Sequence, residues 1–175
     1  MSGGVLYLLD ASVLITAHNL YYPVDRLPEY WDWLAYMAQT DRVKLPVEIF
    51  EEIKEGPKEK DLLFDWLQQE SVKGSIVLPD EIDADIVQAV VAKGYADDLT
   101  DDEVEEIGRD PFLIAHAIAK SGRCVVTVET SKPSAKRQKR KVPDVCRTMG
   151  AAWCDPFTFN RDLGFSTDWR KRLGL

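Results

Sequence analysis

The residues VLYLLDASVLITAH, positions 5–18, constrain the fold more than any other stretch of the chain. Val5 to Leu9 are apolar without interruption, so the segment has no polar face. That pattern belongs to a strand covered on both sides, as in a parallel sheet with helices above and below it. The run then ends at Asp10, and a short helix is expected from about Ser12. A carboxylate at the end of a buried strand is costly unless something pairs with it. Asp10 therefore asks for a partner.

The rest of the chain alternates in the same manner. DRLPEYWDWLAYM, residues 25–37, has aromatic and aliphatic residues at helical spacing, and its Trp31, Trp33 and Tyr36 suit core or interface packing. RVKLPVEIFEEIKEG predicts a brief strand and then a helix with Pro at its start and Gly at its end. A helix is expected at about 58–71 (KEKDLLFDWLQQES), then a short extended piece and an acid-started helix in SIVLPDEIDADIVQAVVAKG. RDPFLIAHAIAKSG is sharply bounded, with Asp110 expected as N-cap, Pro111 at the first helical position and Gly122 past the end. RCVVTVE predicts a second buried strand, PDVCRTMG a short helix and AAWCD a last strand. Strands alternating with helices imply an α/β fold with parallel pairing and right-handed crossovers. The expectation is a three-layer α/β/α domain spanning residues 1–175, with a central parallel sheet of four or five strands and helices on both faces. Residues 80–109 are expected as an acidic helical segment on the rim, and residues 131–142 as a basic loop.

Composition enters where it excludes functions. No span is long enough to cross a bilayer, and MSGG lacks the basic start of a secretory signal, so a cytoplasmic location and no membrane partner are expected. Cys124, Cys146 and Cys154 are an odd set without C-x-x-C spacing, which disfavours a disulfide framework or a structural zinc site. They are expected as small buried residues. The net charge of −8 is unevenly distributed. KPSAKRQKRK, residues 132–141, holds six bases and no acid, whereas residues 80–106 hold eleven acids and one lysine. Such clustering gives the loop a local potential opposite in sign to that of the whole chain.

In an open parallel sheet, ligands gather beyond the carboxyl ends of the strands. Asp10 ends the first strand and Glu129 ends CVVTVE, so both are expected at one edge. Asp110 opens the helix leading into that second strand. Of the acids in PVEIFEEIKEG, Glu52 borders the stripe of Ile49, Phe50 and Ile53 most closely, and Glu48, Glu51 and Glu55 are expected on a solvated face. His18 and His116 belong to no recognisable pair or triad and are expected to be packed. A G-x-x-x-x-G-K-[ST] phosphate loop is absent. A haloacid dehalogenase-type phosphatase needs a second Asp where Ser12 stands.

LLDASVLI, VEIFEEI, DPFLIAHAIA and VVTVET, in that order, resemble the four acidic blocks of the PIN-domain ribonucleases, which include the VapC-like toxins of toxin–antitoxin modules. With AHNLYYPVDRLPEYWDWL and KVPDVCRTMG added, the chain resembles a PIN-like subfamily of poorly defined function. The resemblance implies Asp10, Glu52, Asp110 and Glu129 as catalytic and metal-ligating acids, with Ser12 and Thr127 orienting them. Glu129 stands where the family usually has Asp. Asp144 either supplies the reach that Glu129 lacks or caps the helix beginning PDVCRTMG. Crowded carboxylates need a counter-charge, and hard oxygen donors suit Mg²⁺ or Mn²⁺. The expected function is metal-dependent hydrolysis of RNA, with Lys132, Lys136, Arg137, Lys139, Arg140 and Lys141 contacting phosphates. A small antitoxin and a second copy of the chain, meeting exposed Trp and Tyr of the 30–37 helix, are the implied partners. The alternative is a catalytically weakened PIN-like module that binds RNA or protein.

Overall fold

The computed structural model describes residues 3–56 and 61–175. Five strands form one sheet: β1 (Leu6–Leu9), β2 (Val43–Pro46), β3 (Val77–Leu78), β4 (Arg123–Val126) and β5 (Ala152–Cys154). Their order is β3-β2-β1-β4-β5, and every pairing is parallel. β1 lies at the centre, which accounts for its sequence. Flanked on both edges and covered on both faces, it has Leu8 and Leu9 fully buried and offers no polar residue a place in water.

Eleven helices among the described residues connect and cover the strands. α1 (Ala11–Thr16) widens into a π-type turn at Ala17–Tyr21, and α2 (Pro28–Gln39) and α3 (Val47–Glu55) follow. α4 (Leu62–Gln68) and α5 (Glu70–Ile76) precede β3. α6 (Ala84–Ala89) runs into a second π-type turn at Val90–Tyr95, followed by α7 (Asp101–Ile107) and α8 (Asp110–Ala119). α9 (Val142–Met149), α10 (Pro156–Asp162) and α11 (Trp169–Leu173) complete the chain. α2 and α5 pack together against β2, whereas α8 lies on β1, β2 and β4 with α9 beside it. The chain reverses its direction across the sheet after β3, so right-handed crossovers place these two groups on opposite faces. This is the expected three-layer α/β/α architecture, with five strands.

Several local expectations are corrected. The helix expected over 58–71 begins at Leu62 and breaks at Gln69, whose φ of −55° and ψ of 126° are extended; residues 58–60 lie outside the described residues. The chain then turns helical again as α5, because Val72 and Ile76 bury one face of it. Trp31 and Trp33 are buried and Tyr36 packs on Trp169, so neither tryptophan is available to a second copy. Trp31 packs on Trp66 of α4, whereas Trp33 meets Phe159 and Phe165 of the C-terminal segment, and Tyr7 meets Phe159 edge-on. The sequence marks α10 by Asp155-Pro156, and the Asp155 carboxylate does accept from Thr158 N–H at 2.7 Å. No helix among the described residues is long and apolar enough to cross a membrane.

Candidate functional site

The strand order reverses at β1: its next strand in sequence lies on one side and β4 on the other. Such a switch point opens a crevice beyond the carboxyl ends of the two strands. Leu9 pairs with Val126, so the next residues, Asp10 and Thr127, face each other across the gap. Asp10 is buried, and its Oδ2 accepts from Ser12 Oγ and from Thr127 Oγ1, each at 2.8 Å. Both hydroxyls converge on one oxygen, which fixes the plane of the carboxylate and leaves Oδ1 for other work. Thr127 is itself held, because its hydroxyl accepts from Glu129 N–H at 3.1 Å.

Asp110 stands at the first position of α8, not at its N-cap. Arg109 occupies the cap position, and no side-chain capping bond is made there. The Asp110 carboxylate is thus free of the duty that its Asp-Pro sequence suggests. Burial first, then the negative charges of Asp10, Glu129 and Glu52, push its carboxyl well above the ordinary carboxylate range, with Lys141 opposing. Glu52 is exposed on α3, yet it too is pushed up, by partial desolvation and then by Asp10, with Arg109 opposing. Acids from the β1–α1 junction, α3, α8 and the loop after β4 therefore share one electrostatic neighbourhood. Arg109 and Lys141 are its cations. Arg109 also pairs with Glu55 at 2.7 Å.

Two acids are engaged differently from expectation. Glu129 Oε2 accepts from Val142 N–H at 2.7 Å, and Oε1 lies 3.7 Å from Lys141 Nζ. Glu129 therefore satisfies the first N–H of α9 from a distant segment, the task considered for Asp144. The buried Asp144 accepts from Ser131 Oγ at 2.5 Å and from Lys132 N–H at 2.7 Å, pinning the start of the basic loop. Burial alone would raise its pKa, but these bonds and the nearby Arg147 and Arg140 hold it below the ordinary value. It neither caps its own helix nor extends toward Asp10.

The basic loop is largely committed within the protein. Arg137 grips Glu103 through Nε and Nη2 at 2.9 and 2.7 Å and reaches Asp98 at 2.6 Å. That grip, with Thr100 N–H, holds the Glu103 carboxyl down at about 2. Lys139 pairs with Glu106. Arg140 donates to Gly94 O, to Asp144 O and to Thr148 Oγ1. Among the described residues, the Lys132 and Lys136 ammonium groups make no ion pair, and both residues are exposed. The acidic segment thus supplies the basic loop with its counter-charge.

Sequence reasoning missed Tyr95, at the end of the second π-type turn. It is 7% exposed, and its hydroxyl has no hydrogen-bond partner among the described residues. Burial and then the charges of Asp110, Glu129 and Asp10 push its pKa upward, which places it beside the acids. Only its position before an acidic cluster could have hinted at this. Glu48, expected in water, instead meets buried His116 at 3.0 Å, so that histidine is packed but paired. His18 is packed, accepting from Val24 N–H at 3.2 Å. Glu51 pairs with Lys54. The three cysteines are free; Cys124 and Cys146 are buried and Cys154 half-buried.

Hard oxygen donors such as these carboxylates suit a divalent cation of the Mg²⁺ or Mn²⁺ kind. The spacing is looser than the chemistry: among the described residues, no three acidic, His or Cys side chains stand close enough to hold an ion. The donors fit in kind, with Asp10 preorganised and Asp110 desolvated.

No curated protein and no solved structure matches the chain. The sequence profile of the DUF4411 family, described as a domain of unknown function, matches residues 7–167. That span takes in Asp10, Glu52, Asp110 and Glu129, and the chain belongs to this family.

Proposed function

We propose that the protein is a metal-dependent ribonuclease of PIN type that hydrolyses RNA phosphodiester bonds with Mg²⁺ or Mn²⁺, and that it acts in the cytoplasm as the toxin of a toxin–antitoxin pair. One observation carries the reading: acids from four separate segments share the switch point, where burial first and then the charges of Asp10, Glu129 and Glu52 raise the Asp110 carboxyl. A fold gains no stability from such an arrangement, so a ligand that needs it is the economical explanation. A bound divalent ion supplies Lewis acidity and a water nucleophile at neutral pH. The chain's own residues do the positioning. Ser12 and Thr127 fix Asp10 through its Oδ2, which leaves Oδ1 to hold an ion, and Asp110 would supply a second carboxylate. Glu52 and Glu129 stand at the margins as direct or water-mediated partners. Lys132 and Lys136 are the loop cations available to phosphate. A small antitoxin and a second copy of the chain remain the partners proposed, with the buried tryptophans excluded from either contact.

A weakened, RNA- or protein-binding PIN-like module is the second reading. The capping bond from Val142 N–H to Glu129 favours it, because that acid is already engaged. Cleavage of mixed RNA with Mn²⁺ or Mg²⁺ separates the two. The native chain is expected to cut, with Asp10→Asn and Asp110→Asn each reducing the rate at least 100-fold, as loss of central charge stabilisation does. Equal behaviour of all three proteins would remove the nuclease reading.

A further inference from the structure

Val128 and Thr130, which flank Glu129 in sequence, line a cleft of 260 Å³ that contains none of the four acids. Val13 and Thr16 of α1, the helix that starts beside Asp10, form another part of its wall. The cleft therefore adjoins the acidic centre through two of the segments that build it. Tyr21, Tyr22, Tyr30 and Phe157 make much of the rest aromatic, with Asp155 at the same wall. Tyr21 and Phe157 are 52% and 46% exposed, and their rings meet edge-to-face at 5.3 Å and 80°. Rings left this open present flat faces to whatever enters.

Asn160 of α10 lies at the inner wall and is 8% exposed. Its Nδ2 donates to the Tyr22 hydroxyl at 3.4 Å, while its Oδ1 has no partner among the described residues. A covered amide oxygen without a donor is a deficit that a native protein seldom carries without reason. An aromatic cleft with an unmet acceptor and hydroxyls from Thr16 and Thr130 matches a flat heterocycle that bears an exocyclic amine. The volume lies just below the range of about 300–1,000 Å³ usual for small-molecule sites, which suits one ring system and not a dinucleotide cofactor.

We propose that this cleft is a nucleobase subsite: it takes one unpaired, amine-bearing base of single-stranded RNA while the adjoining phosphate lies at the Asp10–Asp110 centre. The RNA, though not the base, rests on the ribonuclease reading above. Stacking on exposed aromatic residues is how proteins hold unpaired bases without reading a duplex. Tyr21 and Phe157 supply the stacking surface, and Asn160 stands at the wall with its amide oxygen unmet.

The test measures binding by the full chain in the presence of a chelator, so that it is read apart from cleavage. The probes are a fluorescent single-stranded oligoadenylate and an abasic oligomer of equal length. Tyr21→Ala and Phe157→Ala are suitable because both side chains are half in solvent, and circular dichroism checks that each variant folds. Each is expected to weaken oligoadenylate binding about tenfold, the size of one base–aromatic stack, and to leave the abasic oligomer unchanged. Equal losses for both oligomers, no loss for either, or a native chain that does not prefer the base-bearing probe would overturn the subsite. Cleavage by the native chain together with such a result sinks the subsite alone. Base-dependent binding by a chain that never cuts RNA sinks the nuclease reading alone.

Discussion

At the scale of single residues, buried Asp10 and half-buried Asp110 illustrate two treatments of a carboxylate. Asp10 receives two hydroxyl donors on one oxygen; Asp110 receives none of the cap bonds its sequence suggests and instead feels three other acids. The sign of the consequence is definite. A carboxyl raised above its ordinary value of 3.8 favours the protonated form in the folded state. Its contribution to stability is full below the unfolded value and is lost as pH rises through the higher folded value. Asp110→Asn removes that loss. The variant is expected to melt at a higher temperature than the native chain at pH 8 in chelator, with the gap closing near pH 4, where the native carboxyl is also neutral. A lower melting temperature at pH 8 would show that Asp110 is held by an attractive partner instead.

At the scale of elements, the acidic segment and the basic loop act as one clasp. Arg137, Lys139 and Arg140 tie α7 and the second π-type turn to the loop, and the capping box of Thr100 and Glu103 starts α7. Glu103 therefore caps a helix and grips an arginine with the same carboxylate. The turn also docks closely on α9. A Cβ at Gly94 would lie 2.6 Å from Val145 Cγ1, and Val145 is fully buried. Gly94→Ala is expected to cost about 1–3 kcal/mol, the usual range for overpacking, as measured by urea denaturation. An unchanged unfolding midpoint would mean that the turn can lift away from α9 at no cost.

At the scale of the whole molecule, an aromatic cluster closes the fold. Phe159 is fully buried and touches Tyr7 of β1 at 5.2 Å and Trp33 of α2 at 5.7 Å between ring centroids. The C-terminal helices are thus part of the core, and one of them also carries Asn160 into the aromatic cleft. Phe159→Ala is expected to destabilise the protein by about 3–5 kcal/mol, read from chemical denaturation. A loss below about 1 kcal/mol would show that the C-terminal helices fold independently of the sheet.

The sequence by itself determined the central strand, the alternation that makes the sheet parallel, and which end of that sheet gathers acids. Those follow from hydrophobic period and from helix punctuation, which are local. Whether an acid caps, pairs or stays unpartnered depends on neighbours distant in the chain. Only tertiary structure decided that Glu129 caps α9, that Asp144 holds Ser131, that Asp110 caps nothing and that Tyr95 stands among the acids. The basic loop makes the same point: its composition suggests a surface for phosphate, but packing against α7 spends most of its charge. A residue's chemistry is written at its own position, and the field it experiences is set by chain folded from elsewhere.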